Sequence, residues 1–199
     1  MKQKQLNVLI ACEESQAVCK EFRALGHRAF SCDIQECSGG HPEWHVCGDV
    51  LPVLNGDCTF QTSDSHTHTQ VGEWDLIIAH PPCTYLTVTG NRWFNEERYG
   101  DKARKRKQDR EEAIQFFLAF ANADCDRIAI ENPVGYMNTQ YRKADQIIHP
   151  YMFAESVDDQ ENYHTKRTCL WLSGLPKLKT YDLPKPDLRA IYGTYPSGK

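Results

Sequence analysis

The sequence predicts an α/β protein built on an open, mostly parallel sheet with an antiparallel strand pair at one edge. Two observations carry this. Short apolar runs of strand length recur along the 199 residues. Their order with the helical stretches is β-α-β-β-β-α-β-β-β, the alternation expected of such a sheet. The length suits one domain spanning 1–199 and is too short for two comfortable ones. No internal repeat or second domain is visible.

Leu6–Ala11 is the first strand, and Cys12-Glu13-Glu14-Ser15 a turn with Ser15 as N-cap. Gln16–Leu25 is a helix with Ala17, Phe22 and Leu25 among its apolar positions, ended by Gly26. His27–Cys32 is the second strand, closed by Asp33. Strand, helix and strand fit in under thirty residues, which implies a right-handed parallel crossover. Glu36–Glu43 is loop, and Trp44–Cys47 a short third strand ending in Gly48-Asp49-Val50. Asp57–Gly72 is an insertion in which Cys58-Thr59-Phe60 can pair with Thr69-Gln70-Val71 as a small hairpin.

Asp75–Ala79 is the fourth strand. It stops at His80-Pro81-Pro82-Cys83, where two prolines remove N–H donors and stiffen the chain. Cys83 therefore sits just past the carboxyl end of a core strand, the place where open α/β sheets put their chemistry, and is a candidate nucleophile. Thr84–Gly100 is a long loop carrying Tyr85, Trp93 and Phe94, of a length more often functional than not. Asp101–Asn122 is the longest helix, charged in its first half and apolar in its second. Arg127–Ile130 is the fifth strand, followed by Glu131-Asn132-Pro133. Gln146–Phe153 and Thr168–Leu172 are the strands of the edge pair, and an irregular, proline-rich tail runs over 173–199.

Polar residues after successive strands should line one rim: Cys12–Ser15, Asp33, Asp49, Cys83 and Glu131-Asn132. The turn after the first strand meets a helix N-terminus, whose free amides suit the negative end of a ligand. An acidic residue after the second strand can accept hydrogen bonds from a ribose diol. GxGxxG is absent, and Glu13-Glu14 would repel a pyrophosphate. A zwitterionic cofactor with a cationic centre, such as S-adenosylmethionine, fits better.

A net charge of −4 rules out a general polycation, so any nucleic-acid contact needs a local patch. The basic run Lys102–Arg110 is one, equally readable as a solvated helix face. The nine cysteines are scattered, odd in number and never CxxC, as expected of reduced, mostly buried thiols. Cys37, His41, His45 and Cys47 lack the spacing of a zinc site, and His66 and His68 are expected to face water. No apolar run has membrane-spanning length, and Leu6–Ala11 is too short for a signal-peptide core. A cytoplasmic protein with no bound metal and no membrane contact is expected.

LIACEESQAVCKEFRALGHRAFSCDI, GDV at Gly48–Val50, WDLIIAHPPCTYL, IAIENPVG at Ile128–Gly135 and TKRTCLWLSGLP at Thr165–Pro176 occur in an order that resembles the DNA cytosine-5 methyltransferases, in particular their small phage-associated members without a target-recognition domain. The resemblance implies a Rossmann-like class I methyltransferase fold, S-adenosylmethionine as cofactor, and a bacterial or phage-infected host cell. It implies that Cys83 adds to carbon 6 of cytosine and that Glu131 hydrogen-bonds and protonates ring nitrogen 3. Ala11, Cys12, Glu13, Ser15, Asp33, Ile34, Asp49, Val50, His80 and Pro81 would hold the cofactor, Asp33 at its ribose and Asp49 at its adenine amino group. Pro82, Asn132, Pro133, Lys166 and Arg167 would meet the substrate. Here ACEESQ replaces the family's glycine-rich first turn, and no target-recognition domain fits between Arg167 and Lys199. The expected substrate is therefore single-stranded or distorted DNA, or a cytosine nucleotide, with a separate specificity partner a possibility. The alternatives are a catalytically silent module of the same descent that binds cofactor or nucleic acid, and a metal- or redox-sensing use of the cysteines.

Overall fold

In the computed structural model, residues 4–187 are described, so the tail beyond 187 lies outside the described residues. Seven strands form one mixed sheet: β1 (Asn7–Ala11), β2 (Arg28–Asp33), β3 (His45–Cys47), β6 (Leu76–Ala79), β7 (Ile128–Pro133), β8 (Gln146–Ile148) and β9 (Thr168–Ser173). Their spatial order is β3-β2-β1-β6-β7-β9-β8. The pairs from β3 to β7 are parallel, and β9 runs antiparallel to both β7 and β8. The chain builds outward from β1 through β2 to β3, then returns to β1's other side with β6. The gap between β1 and β6 is thus the point where the order reverses, and a crevice opens there beyond the strand ends.

Alternation along β1 supplies both faces of the sheet. Val8 and Ile10 pack with Ala29, Leu76 and Cys19 of helix α1 (Ala17–Ala24). Leu9 and Ala11 face the larger core with Phe30, Ile77, Ile130, Trp171 and three residues of helix α3 (Asp101–Ala121): Ile114, Phe117 and Phe120. Phe117 and Phe120 are fully buried, and each such burial contributes on the order of 2–3 kcal/mol. The one-turn helices α2 (Glu96–Tyr99) and α4 (Met137–Gln140) lie in the connections that precede α3 and follow β7. Among the described residues no helix is long and apolar enough to cross a membrane.

The insertion forms a separate antiparallel hairpin, β4 (Cys58–Gln61) and β5 (Thr67–Gln70). Its register, Cys58 opposite Gln70 and Phe60 opposite His68, ends one residue short of Val71. Phe60 joins the larger core, and the ring of His68 packs on Phe30 and Phe60 rather than facing water.

Several local expectations change. The Gln16–Leu25 helix is trimmed at both ends, and its buried face is Val18, Cys19 and Phe22, while Ala17 and Leu25 are exposed. Trp44 belongs to a 3-10 turn, Pro42–Trp44, and stacks on His41. The strand predicted over Gln146–Phe153 stops at Ile148, because Pro150 has no N–H for a ladder and opens a 3-10 turn. Thr84–Gly100 is more ordered than a plain loop, with a 3-10 segment Val88–Phe94 and then α2. Of the nine cysteines, all free thiols, Cys19, Cys32 and Cys169 are buried, so most are not.

Candidate active site

The ladder between β1 and β6 continues one residue past Ala79, where the His80 amide donates to the Ala11 carbonyl at 2.9 Å. Pro81 and Pro82 end it. The Cys83 carbonyl then accepts from the amides of Leu86 and Thr87, closing a turn with the half-buried Cys83 at its start. Contacts from the end of β7 and from the residues just after it hold this turn. The Asn132 side chain, 2% exposed, donates to the Pro81 carbonyl at 2.6 Å. The Tyr136 amide donates to the Leu86 carbonyl at 2.7 Å, and Thr87 bridges Gly135.

Ala79 pairs with Ile130, which sets Glu131 beside His80. Glu131 Oε2 lies 3.4 Å from His80 Nδ1, with the two side chains 26% and 28% exposed. His80 Nε2 is buried without a hydrogen-bond partner among the described residues. Thr168 pairs with Pro133, so the exposed Lys166 and Arg167, which precede it, stand beyond the end of β7 at the same rim. Cys83, Glu131, Asn132 and the basic pair thus converge on one edge of the sheet.

A cleft of about 290 Å³ opens next to them, beyond the ends of β1, β2 and β3. Cys12, Asp33, Ile34, Asp49, Val50 and Pro82 line it, with Phe116 of α3 closing one side. Asp33 Oδ1 accepts from the Gln35 amide and Asp49 Oδ1 from the Leu51 amide, which fixes both carboxylates in local turns. Ile34, 79% exposed, adds an apolar face. The Cys12 thiol is pushed up to about 12, first by burial and then by the charges of Asp33 and Asp49. Cys32 behind it is pushed up to about 12, by burial first and then by Cys12, Asp33 and Asp49. Both sulfurs are therefore neutral and inert at neutral pH, in a cleft whose field favours cations and hydrogen-bond donors.

The turn after β1 differs from expectation. Ser15 is exposed and does not cap α1; Gln16 holds the N-cap position in the left-handed region at φ 57°. The cap comes from Glu13, whose carboxylate accepts from the amides of Val18 at 2.6 Å and Cys19 at 3.2 Å. Burial raises its pKa and those two bonds oppose the rise. The free amides expected to take a ligand's negative end are thus already filled by the protein's own carboxylate. Gln16 is fully buried and reaches Ser31 and both backbone groups of His41, pinning the 36–41 loop over this turn. Glu13, Ser15, His80 and Pro81 do not line the cleft, whereas Pro82, expected at the substrate, does. Ala11 gives its side chain to the core and its carbonyl to the ladder.

Sequence reasoning missed Phe116, because the apolar run that contains it does not say which face meets the cleft. It also missed the contact of His80 with Glu131, set by the β6–β7 register. The ring of His45, one of the four residues weighed as metal ligands, is hydrogen-bonded at both nitrogens, to Ser31 and to the Gln35 carbonyl. Comparison of the sequence with protein-family models finds no matching family, and comparison with curated proteins finds no match.

Proposed function

We propose that this chain is an S-adenosylmethionine-dependent methyltransferase that acts on carbon 5 of cytosine in DNA through a covalent cysteine adduct. The observation that carries the reading is that the turn after β6, which carries Cys83, lies against Glu131 in the last half of the adjacent β7, the two joined through Asn132 and His80, beside a cleft lined by two carboxylates. The residues fit the cofactor. Asp33 and Asp49 can accept from ribose hydroxyls and an adenine amino group, Ile34 and Phe116 can flank the ring, and the negative field suits a sulfonium. When bound, the cofactor supplies the methyl group that carbon 5 takes.

The chain's own part is to activate the ring and release it. The Cys83 sulfur forms a bond to carbon 6, and the ring electrons move toward nitrogen 3, where the Glu131 carboxyl group donates a proton. After methylation a base removes the carbon-5 proton, the carbon 5–carbon 6 double bond re-forms, Cys83 leaves as thiolate, and nitrogen 3 returns its proton to Glu131. A duplex target would first have to be flipped out of its stack, at a cost of about a few kcal/mol.

Incubation with methyl-labelled cofactor and with single-stranded and duplex DNA tests this. Wild type is expected to label DNA and to be trapped covalently on DNA containing 5-fluorocytosine. Cys83→Ala is expected to lose both activities, and Glu131→Gln to lose at least about 100-fold in rate. Labelling undiminished by Cys83→Ala would overturn the mechanism. Cofactor binding without transfer or trapping would instead support a catalytically silent module.

A further inference from the structure

The residues that follow Cys83 build a second and larger hollow. It measures about 700 Å³ and opens between the 84–99 segment and the first turns of α3. Tyr85, Trp93, Tyr99, Lys102, Lys105 and Arg106 line it, and it shares no lining residue with the cofactor cleft.

Its frame is fixed by two arginines of α3. Arg106 Nη2 donates to the Thr84 carbonyl at 2.9 Å. Arg110 Nε donates to the Tyr85 carbonyl at 2.9 Å and its Nη2 to Asn91 Oδ1 at 2.8 Å. Both guanidinium groups lie over the Phe94 ring, at 5.1 and 3.4 Å from its centre. The segment is therefore fastened to the helix along its length, and the hollow is part of the fold.

Its lining is mainly aromatic and cationic, and its one carboxylate, Asp109, is paired with Lys105. Trp93 is 42% exposed, and its ring centre lies 5.0 Å from that of Tyr99. The Arg92 guanidinium sits 4.7 Å from the Trp93 ring and that of Arg98 5.4 Å from the Tyr99 ring. From Arg92 to Arg110 the sequence has eight Lys and Arg residues against four carboxylates, in a chain whose net charge is −4. Arg104, Lys105 and Lys107 are paired with Asp101, Asp109 and Glu96. Arg92, Arg98 and Lys102 form no ion pair among the described residues. An exposed tryptophan, backed by the half-buried Tyr99 and beside unpaired cations, matches the chemistry of single-stranded nucleic acid. Its bases offer stacking faces that a duplex hides, and its phosphates need positive charge.

We propose that this hollow holds an unpaired nucleotide of single-stranded DNA, next in the strand to the base presented to Cys83. Its base stacks on Trp93, and Lys102 with the unpaired arginines neutralises its phosphates. The strand contact follows from the hollow alone, whereas the identity of the neighbouring base rests on the methyltransferase reading. The contact is tolerant of sequence, because every base has a stacking face. It lets the chain prefer an unpaired strand without groove readout.

Fluorescence anisotropy of an end-labelled, cytosine-containing oligodeoxynucleotide tests this on the full chain without cofactor, with the strand single or annealed to its complement. The single strand is expected to bind more tightly than the duplex. Trp93→Ala is expected to weaken single-strand binding about tenfold, with Trp93→Phe restoring most of it. Lys102→Ala is expected to reduce the salt dependence of single-strand binding by about 0.7 in log–log slope. Far-ultraviolet circular dichroism of the variants checks that they are folded. Single-strand binding equal in wild type and folded Trp93→Ala, or a preference for duplex, would overturn the proposal. Methyl transfer that persists while strand binding ignores Trp93 overturns this inference alone. Strand binding that needs Trp93, in a protein that neither transfers methyl groups nor is trapped, overturns the methyltransferase reading and leaves the strand contact standing.

Discussion

At Gly135 a Cβ would stand 2.0 Å from the Leu86 carbonyl oxygen and 3.1 Å from the Thr87 Cα. Both neighbours are backbone and cannot swing aside. The missing side chain is what lets the strand end carrying Glu131 lie against the turn carrying Cys83. Gly135→Ala should therefore push the two segments apart. It is expected to lower the unfolding free energy by about 1–3 kcal/mol in a urea titration, the usual cost of overpacking. If Cys83 and Glu131 act together, it should also lower methyl transfer in protein that remains folded. An unchanged urea midpoint would show that the segments can part without cost. Asn132 works from the other side of the turn, with its buried amide on the Pro81 carbonyl. The two prolines that make Cys83 conspicuous in the sequence fix the local chain direction. Asn132 and Gly135 fix where that chain lies relative to Glu131.

Helix α1 shows how an element can be legible while its ends are not. The apolar spacing predicts a helix over 16–25, and one forms over Ala17–Ala24, with Gly26 at φ +85° just beyond it as a helix-ending glycine should be. The cap is different, because the left-handed backbone at Cys12 (φ 60°) and Gln16 (φ 57°) curls the turn so that Glu13, not Ser15, reaches the amides. Glu13→Ala should leave those buried amides unpaired and cost about 1–2 kcal/mol, measured by thermal or urea unfolding. Ser15→Ala should change stability little, since its side chain does not cap the helix; a loss at Ser15 as large as at Glu13 would contradict this assignment. Helix α3 joins three regions. Its charged first half frames the aromatic hollow, Phe116 walls the cleft, and Phe117 and Phe120 enter the core. The change from charged to apolar along it is plain in the sequence. Which apolar side chain faces which region depends on how the helix crosses the sheet.

On the scale of the whole molecule, alkaline stability should report the buried thiols. Cys12 and Cys32 are pushed up to about 12 and Cys19 to about 11, in each case chiefly by burial, against 9.0 for an ordinary thiol. Above pH 9 the unfolded chain releases these protons while the folded chain keeps them. The unfolded state then binds fewer protons, so stability falls as pH rises from 9 toward 12, and the contribution is fully present below 9. Urea midpoints measured across this range should decline, and Cys32→Ala should decline less steeply than wild type. A slope unchanged in that variant would show that Cys32 does not titrate in this way.

The sequence by itself determined the α/β class, the seven strands of the sheet and the antiparallel edge pair. It placed Asp33, Glu131 and Asn132 after their strands, whereas Asp33 is the last residue of β2 and Glu131 and Asn132 lie within β7. Apolar runs of strand length and proline or glycine stops are local properties of the chain, readable without its neighbours. Only the tertiary structure decided that Asp33 and Asp49 share a cleft with Phe116, that His80 meets Glu131, and that Glu13 turns inward to cap a helix. Those outcomes depend on strand order, register and helix crossing, which are set by contacts between residues far apart in sequence. The same long-range packing set Trp93 and Tyr99 against the basic half of α3, in a segment that alone reads only as a long loop.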